Sequence, residues 1–170
     1  MSNVVVVYHS GYGHTRVMAQ AVAQGVERHS GSTCQLIPVE EVEDHWDRLH
    51  RADAIIFGAP TYMGSASAPF KEFMEATAAF YLAQPWRDKL AAGFTNSGSL
   101  CGDKLNTLLQ MAVFAIDVIF VGSGEFAYLE GGTWRASRGP LMIAPSGLPH
   151  RVRFTSAWSS SPQPWMSPIT

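Results

Sequence analysis

Val4-Val5-Val6-Val7-Tyr8-His9-Ser10-Gly11-Tyr12-Gly13-His14-Thr15-Arg16 is the stretch on which the reading of this chain turns. Its valines and tyrosine form a short apolar run with strong β preference. Ser10, Gly11 and Gly13 break that run, and from Thr15 onward Val17, Met18, Ala21, Val22, Gly25 and Val26 recur at helical spacing. A strand, a tight polar loop and a helix form the geometry that aims backbone N–H groups and a helix N-terminus at an anion. The hydroxyls of Ser10, Tyr12 and Thr15 offer further donors. The loop therefore reads as a phosphate cradle; the plain alternative is an ordinary turn, since Gly and Ser are common turn residues. A nucleoside-triphosphatase loop is excluded because Gly13 is followed by His14-Thr15 rather than Lys-Ser or Lys-Thr. A dinucleotide fingerprint is excluded because only Gly11 and Gly13 of its three glycines are present. A hydroxyl-rich loop without lysine or arginine inside it suits a single phosphate monoester.

The chain has 170 residues, enough for one domain with a sizeable core. Its 46% hydrophobic content is that of a soluble globular protein, and no apolar run approaches the length that spans a bilayer. The chain opens directly on a strand, from which no signal peptide is expected. A net charge of −2 gives no reason to expect nucleic acid. Cys34 and Cys101 match no metal or disulfide pattern, which fits a reducing cytoplasm. Charge is unevenly placed. All fourteen acidic residues lie at or before Glu130, against eight lysines and arginines, so residues 1–130 carry −6, while Arg135, Arg138, Arg151 and Arg153 leave the remainder at +4.

Further apolar runs alternate with helical patterns. Gln35–Val39 reads as a second strand, and the acidic run 40–44 reads as a solvated linker or helix entry. Trp46 and Leu49 anchor a small connecting helix. Asp53–Gly58 is a third strand, apolar on both faces like a central parallel strand. It leads into Ala59-Pro60-Thr61-Tyr62-Met63-Gly64-Ser65 and a helix from about Pro69. Lys89–Thr95 is a fourth strand ending in Asn96-Ser97-Gly98-Ser99-Leu100-Cys101, followed by a helix carrying Leu105, Leu108, Leu109, Ala112 and Val113. Val118–Gly122 is the expected fifth strand. The pattern predicts an α/β fold, a doubly wound five-stranded parallel sheet of order 2-1-3-4-5. Its first and third strands flank the switch point, with the fourth beside them, so three polar loops converge on one crevice. The first loop can hold phosphate. The second offers an aromatic ring and a thioether suited to a flat heteroaromatic ring, and the third offers amide and hydroxyl groups. Together they describe a mononucleotide site such as one for FMN.

Tyr8–Thr15, Gly58–Gly64 and Phe94–Ser99, in this order and spacing, resemble the flavodoxin-like, WrbA-type NAD(P)H:quinone oxidoreductase and FMN reductase family; the resemblance covers residues 1 to about 125. It implies noncovalent FMN. Ser10, Gly11, Tyr12, Gly13, His14 and Thr15 would wrap the phosphate, and Pro60, Thr61, Tyr62 and Met63 would border the isoalloxazine ring. Asn96, Ser97, Gly98, Ser99, Leu100 and Cys101 would contact its other edge. It also implies NAD(P)H as electron donor, Tyr12 near the nicotinamide, and Tyr81 lining a quinone pocket across a subunit boundary of a homo-oligomer, dimer or tetramer. No catalytic acid or base and no metal ligand is assigned, because the chemistry is the flavin's. His14 fills a loop role, and Cys101 is a small loop residue. Two other readings share the fold: a flavodoxin-like one-electron carrier and an FMN-free interaction protein.

Two stretches depart from the family pattern. Phe114–Val118 looks shortened and lacks the histidine that relatives place before the fifth strand; Asp117 is its nearest polar residue. Residues 1–130 are thus expected to form the FMN-binding domain and 131–170 an atypical Pro/Ser/Arg-rich tail, extended or disordered, in place of the last helix.

Overall fold

A computed structural model describes residues 1–100, 103–119, 126–130 and 133–136. The opening valines form β1 (Ser2–Tyr8), and α1 (His14–Glu27) follows the glycine-rich loop. β2 (Ser32–Pro38) leads through a 3-10 turn over the acidic run, Val39–His45, into the short α2 (Trp46–Arg51). β3 (Ala54–Tyr62) continues past the expected strand end to include Pro60, Thr61 and Tyr62. A two-residue strand β4 (Ser65–Ala66) folds back on the end of β3 and precedes α3 (Ala68–Ala76). β5 (Leu90–Asn96) and α4 (Lys104–Ile119) come next, then β6 (Phe126–Glu130) and β7 (Thr133–Ala136).

The parallel strands lie in the order β2-β1-β3-β5-β6, which is the expected doubly wound arrangement with β1 and β3 at the switch point. β7 adds an antiparallel edge next to β6. Register is fixed by the alternation of β1: Val5 and Val7 enter the core beneath α2, α3 and α4, while Val4, Val6 and Tyr8 enter the core beneath α1. The larger core stacks Phe57, Phe70, Phe73, Phe114 and Trp86 against one another. Across the sheet, Gly58 faces Phe94 of the neighbouring strand, and the Phe94 ring occupies the space that a side chain at Gly58 would need.

Two sequence expectations need correction. Val118 and Ile119, expected to open the fifth strand, end α4 instead, and the fifth parallel strand is Phe126–Glu130; the rest of the expected strand, 120–122, lies outside the described residues. Leu108, Met111, Ala115 and Ile119 keep the helical repeat and are all buried, so helix packing outweighs the local β preference of the Val-Ile pair. Asp117 consequently sits on a helix. In α1, the buried stripe is Thr15, Ala19, Ala23 and Val26, and Val17 faces solvent, because the helix turns its small residues to the sheet. Of the expected tail, Thr133–Ala136 is strand; the expectation for residues 137–170 lies outside the described residues. Among the described residues no helix is long and apolar enough to cross a membrane.

Candidate functional site

The loops after β1, β3 and β5 leave the sheet at its carboxyl edge, side by side, because these strands are neighbours. The first loop is shaped by Gly13, whose φ of +88° is a left-handed conformation suited to glycine, and no side chain caps α1 there. The Ser10 hydroxyl accepts a hydrogen bond from the Arg16 backbone N–H at 3.0 Å, which holds the loop against the first helical turn. A side chain on Gly11 would meet the Tyr62 hydroxyl at 2.7 Å, so the first and second loops touch at that point. Tyr12 and Tyr62 complete this contact edge to face, ring centroids 6.0 Å apart. Burial, with Tyr12 alongside, pushes the Tyr62 phenol up, so it remains protonated and able to donate.

Among the described residues a part-buried bond joins the start of α1 to the end of β5. Thr15, itself buried, donates its hydroxyl to Asn96 Oδ1 at 2.8 Å. Thr15 therefore serves the site as a tie between loops in this structure. Beneath the second loop a chain of hydroxyls runs Thr95–Thr61–Thr107, each step 2.8 Å, linking β5, β3 and α4. Thr61 is buried in this chain. Met63 and Gly64 turn the chain with positive φ, and Asn106 of α4 donates to the Gly64 carbonyl at 2.6 Å.

The third loop is held by a residue that the sequence reading passed over. Lys104, at the start of α4, donates to Ser97 Oγ at 2.9 Å, the Ser99 carbonyl at 2.9 Å and the Leu100 carbonyl at 2.8 Å. Ser97 also donates to the Ser99 carbonyl at 2.9 Å. A lysine seven residues after the first serine of a Ser-Gly-Ser loop, at a helix start, is the available sequence signal. His9 was likewise missed: buried below Gly11, its Nδ1 lies 2.7 Å from Ser67 Oγ and its Nε2 3.6 Å from a Glu40 carboxylate oxygen.

Each loop also presents one large apolar side chain to solvent. Tyr12 is 82% exposed, Met63 102% and Leu100 99%. Pro60 is buried in β3, and Gly98 has open space where a side chain would be. Cys101 lies outside the described residues. Tyr81 is placed differently: it lines a groove of about 690 Å³ between α3 and α4, whose walls include Met74, Leu109 and Val113. That groove reaches β4 through Ser65 and Ala66, but Tyr12 is not among its walls.

Residues 4–132 match the protein family described as NADPH-dependent FMN reductase. Flavodoxin FldP of Pseudomonas aeruginosa is 45% identical over 119 residues, 68% of this chain and 61% of its own. The chain thus spans about three fifths of that relative's length. The NAD(P)H dehydrogenase (quinone) of Geobacter sulfurreducens is 30% identical over 166 residues, 77% of this chain and 80% of that protein. Among solved structures, a flavodoxin, WrbA-like protein from Agrobacterium tumefaciens is 47% identical with a TM-score of 0.62, covering 76% of this chain and 84% of that one. With its sheet order, its three convergent loops and these similarities, the chain belongs to the NADPH-dependent FMN reductase family.

Proposed function

We propose that this protein is an FMN-dependent oxidoreductase that takes electrons from NAD(P)H and passes them to quinones. The observation that carries the reading is the trio Tyr12, Met63 and Leu100, nearly fully exposed, one on each of three adjoining loops. Large apolar side chains exposed on adjoining loops suit a flat apolar ligand. The residues fit FMN on two further counts. Gly13 opens a helix N-terminus whose cap residue carries no side chain, with no atom near the space that one would fill, a cradle for a phosphate. The third loop offers Ser97, Asn96 and an open Gly98 for the polar edge of a ring.

In this reading Ser10 through Thr15 hold the phosphate with backbone N–H groups. Pro60 through Met63 border the ring, and Asn96 through Cys101 meet its opposite edge. Bound FMN supplies the acceptance of hydride and the delivery of two electrons. The protein's share is orientation: Thr15–Asn96 fixes the spacing of the phosphate and ring loops, and Tyr62 against Gly11 fixes the second loop on the first. Tyr12, exposed at the first loop, would cover the donor. Tyr81 would reach a quinone through a second copy of the chain, which makes a homo-oligomer part of the proposal, with residues 1–130 as the FMN-binding domain.

A second reading is favoured by one observation: the relative at 45% identity is named a flavodoxin. A flavodoxin-like carrier would bind FMN and pass single electrons to a protein partner. Steady oxidation of NADH or NADPH with benzoquinone by the FMN-loaded protein supports the enzyme. FMN binding without that turnover supports the carrier, and absence of FMN binding removes both.

A further inference from the structure

We propose that Lys104 is a positioning residue that sets the redox preference of the site, as the cation held against the ring-binding loop. The inference rests on the FMN reading above. The first loop encloses no lysine or arginine, so charge at this site has to come from elsewhere. Lys104 spends its ammonium donors on Ser97 Oγ and the carbonyls of Ser99 and Leu100. Among the described residues it forms no ion pair. The adjacent Asp103, which holds a positive φ of 52°, is turned toward Gly64 of the second loop. The ammonium is thus half-buried, without an ion pair among the described residues, and bonded directly to atoms of the third loop.

Any ligand atom that donates a hydrogen bond to Ser97 Oγ lies within two hydrogen-bond lengths of Lys104 Nζ, about 6 Å. Uptake of two electrons and one proton by oxidised FMN leaves the ring with one more negative charge than before. The electrons and proton come from the hydride of NAD(P)H, which leaves as NAD(P)+. A cation at that distance binds the reduced ring more tightly than the oxidised one. Lys104 thereby raises the reduction potential of the bound flavin and shapes the third loop while doing so.

The test compares wild type, Lys104→Met and Lys104→Arg by titrating each, without oxygen, with oxidised FMN and with dithionite-reduced FMN. The readout is the ratio of the two dissociation constants, which stays measurable even where a variant weakens both. Lys104→Met is expected to lose about tenfold of the preference for reduced FMN, equivalent to about 30 mV of a two-electron potential. Lys104→Arg keeps the charge and is expected to keep the ratio. An unchanged ratio in Lys104→Met overturns the inference, as does an equal loss in Lys104→Arg, which would assign the effect to loop shape. If Lys104→Met does not fold, Lys104→Gln is read against the same two outcomes. Failure of the wild type to bind FMN would instead remove the functional reading itself and this inference with it.

Discussion

Gly58→Ala probes the junction from which the site's second and third loops emerge. The new methyl carbon would lie 2.2 Å from Phe94 Cζ and 2.7 Å from both Cε atoms. Carbon atoms rest about 3.5 Å apart or more, so the ring must withdraw by more than about 1 Å. It has no open direction: Phe94 is fully buried with Val6, Ala19 and Ile56 in the core under α1. Overpacking of this kind costs about 1–3 kcal/mol. The overlap involves the whole ring tip, which places this case at the upper end. Replacing a strand glycine returns up to about 1 kcal/mol through lost unfolded-state freedom. The net expectation is a loss of about 2 kcal/mol, or roughly 4–8 °C in melting temperature for a chain of this size. Urea unfolding should show a lower midpoint at an unchanged m-value. Phe94→Leu in the same chain should recover part of the loss, giving a coupling of at least about 1 kcal/mol in the double-mutant cycle. A Gly58→Ala protein within about 0.5 kcal/mol of wild type, or strictly additive effects, would refute the packing argument.

Further outcomes follow from individual bonds. Thr15→Val keeps the side chain's shape, removes the bond to Asn96 and should weaken FMN binding about tenfold by fluorescence titration; unchanged affinity would show that the two loops are held independently. Thr61→Val breaks both buried bonds to Thr95 and Thr107 and should cost about 1–3 kcal/mol in urea unfolding. His50 packs against Trp46, Phe80 and Trp86 with both ring nitrogens unpartnered, and burial lowers its pKa below the ordinary 6.5. The folded state therefore holds fewer protons than the unfolded chain in that window, so stability is full above pH 6.5 and falls as the pH drops below it. His50→Phe should flatten that acid limb, and an unaltered limb would assign the pH dependence to other groups.

The sheet was readable in the sequence because β1 and β3 carry apolar residues on both faces, and only a central parallel strand buries both. The three loops were readable because Gly, Ser, Thr and Asn follow those strands directly. The boundary at 118–122 was misread because a short Val-Ile-Phe-Val run suits strand and buried helix alike. Only the position of Ile119, in helical phase with Met111 and Ala115, decides between them. The ties within the site were hidden for a different reason. Thr15–Asn96 and His9–Ser67 pair residues far apart in the chain, whose partners are chosen by the order of the strands, while Lys104–Ser97 is local and its one signal is a lysine at the start of the helix that follows the loop.

The visible absorption spectrum of the purified protein, taken after FMN is added and the mixture desalted, tests the central claim most directly. The three adjoining loops, with Tyr12, Met63 and Leu100 exposed on them, predict a flavin spectrum that stays with the protein in about one equivalent. A colourless protein would contradict the account, because three loops folded as described would then form no flavin site.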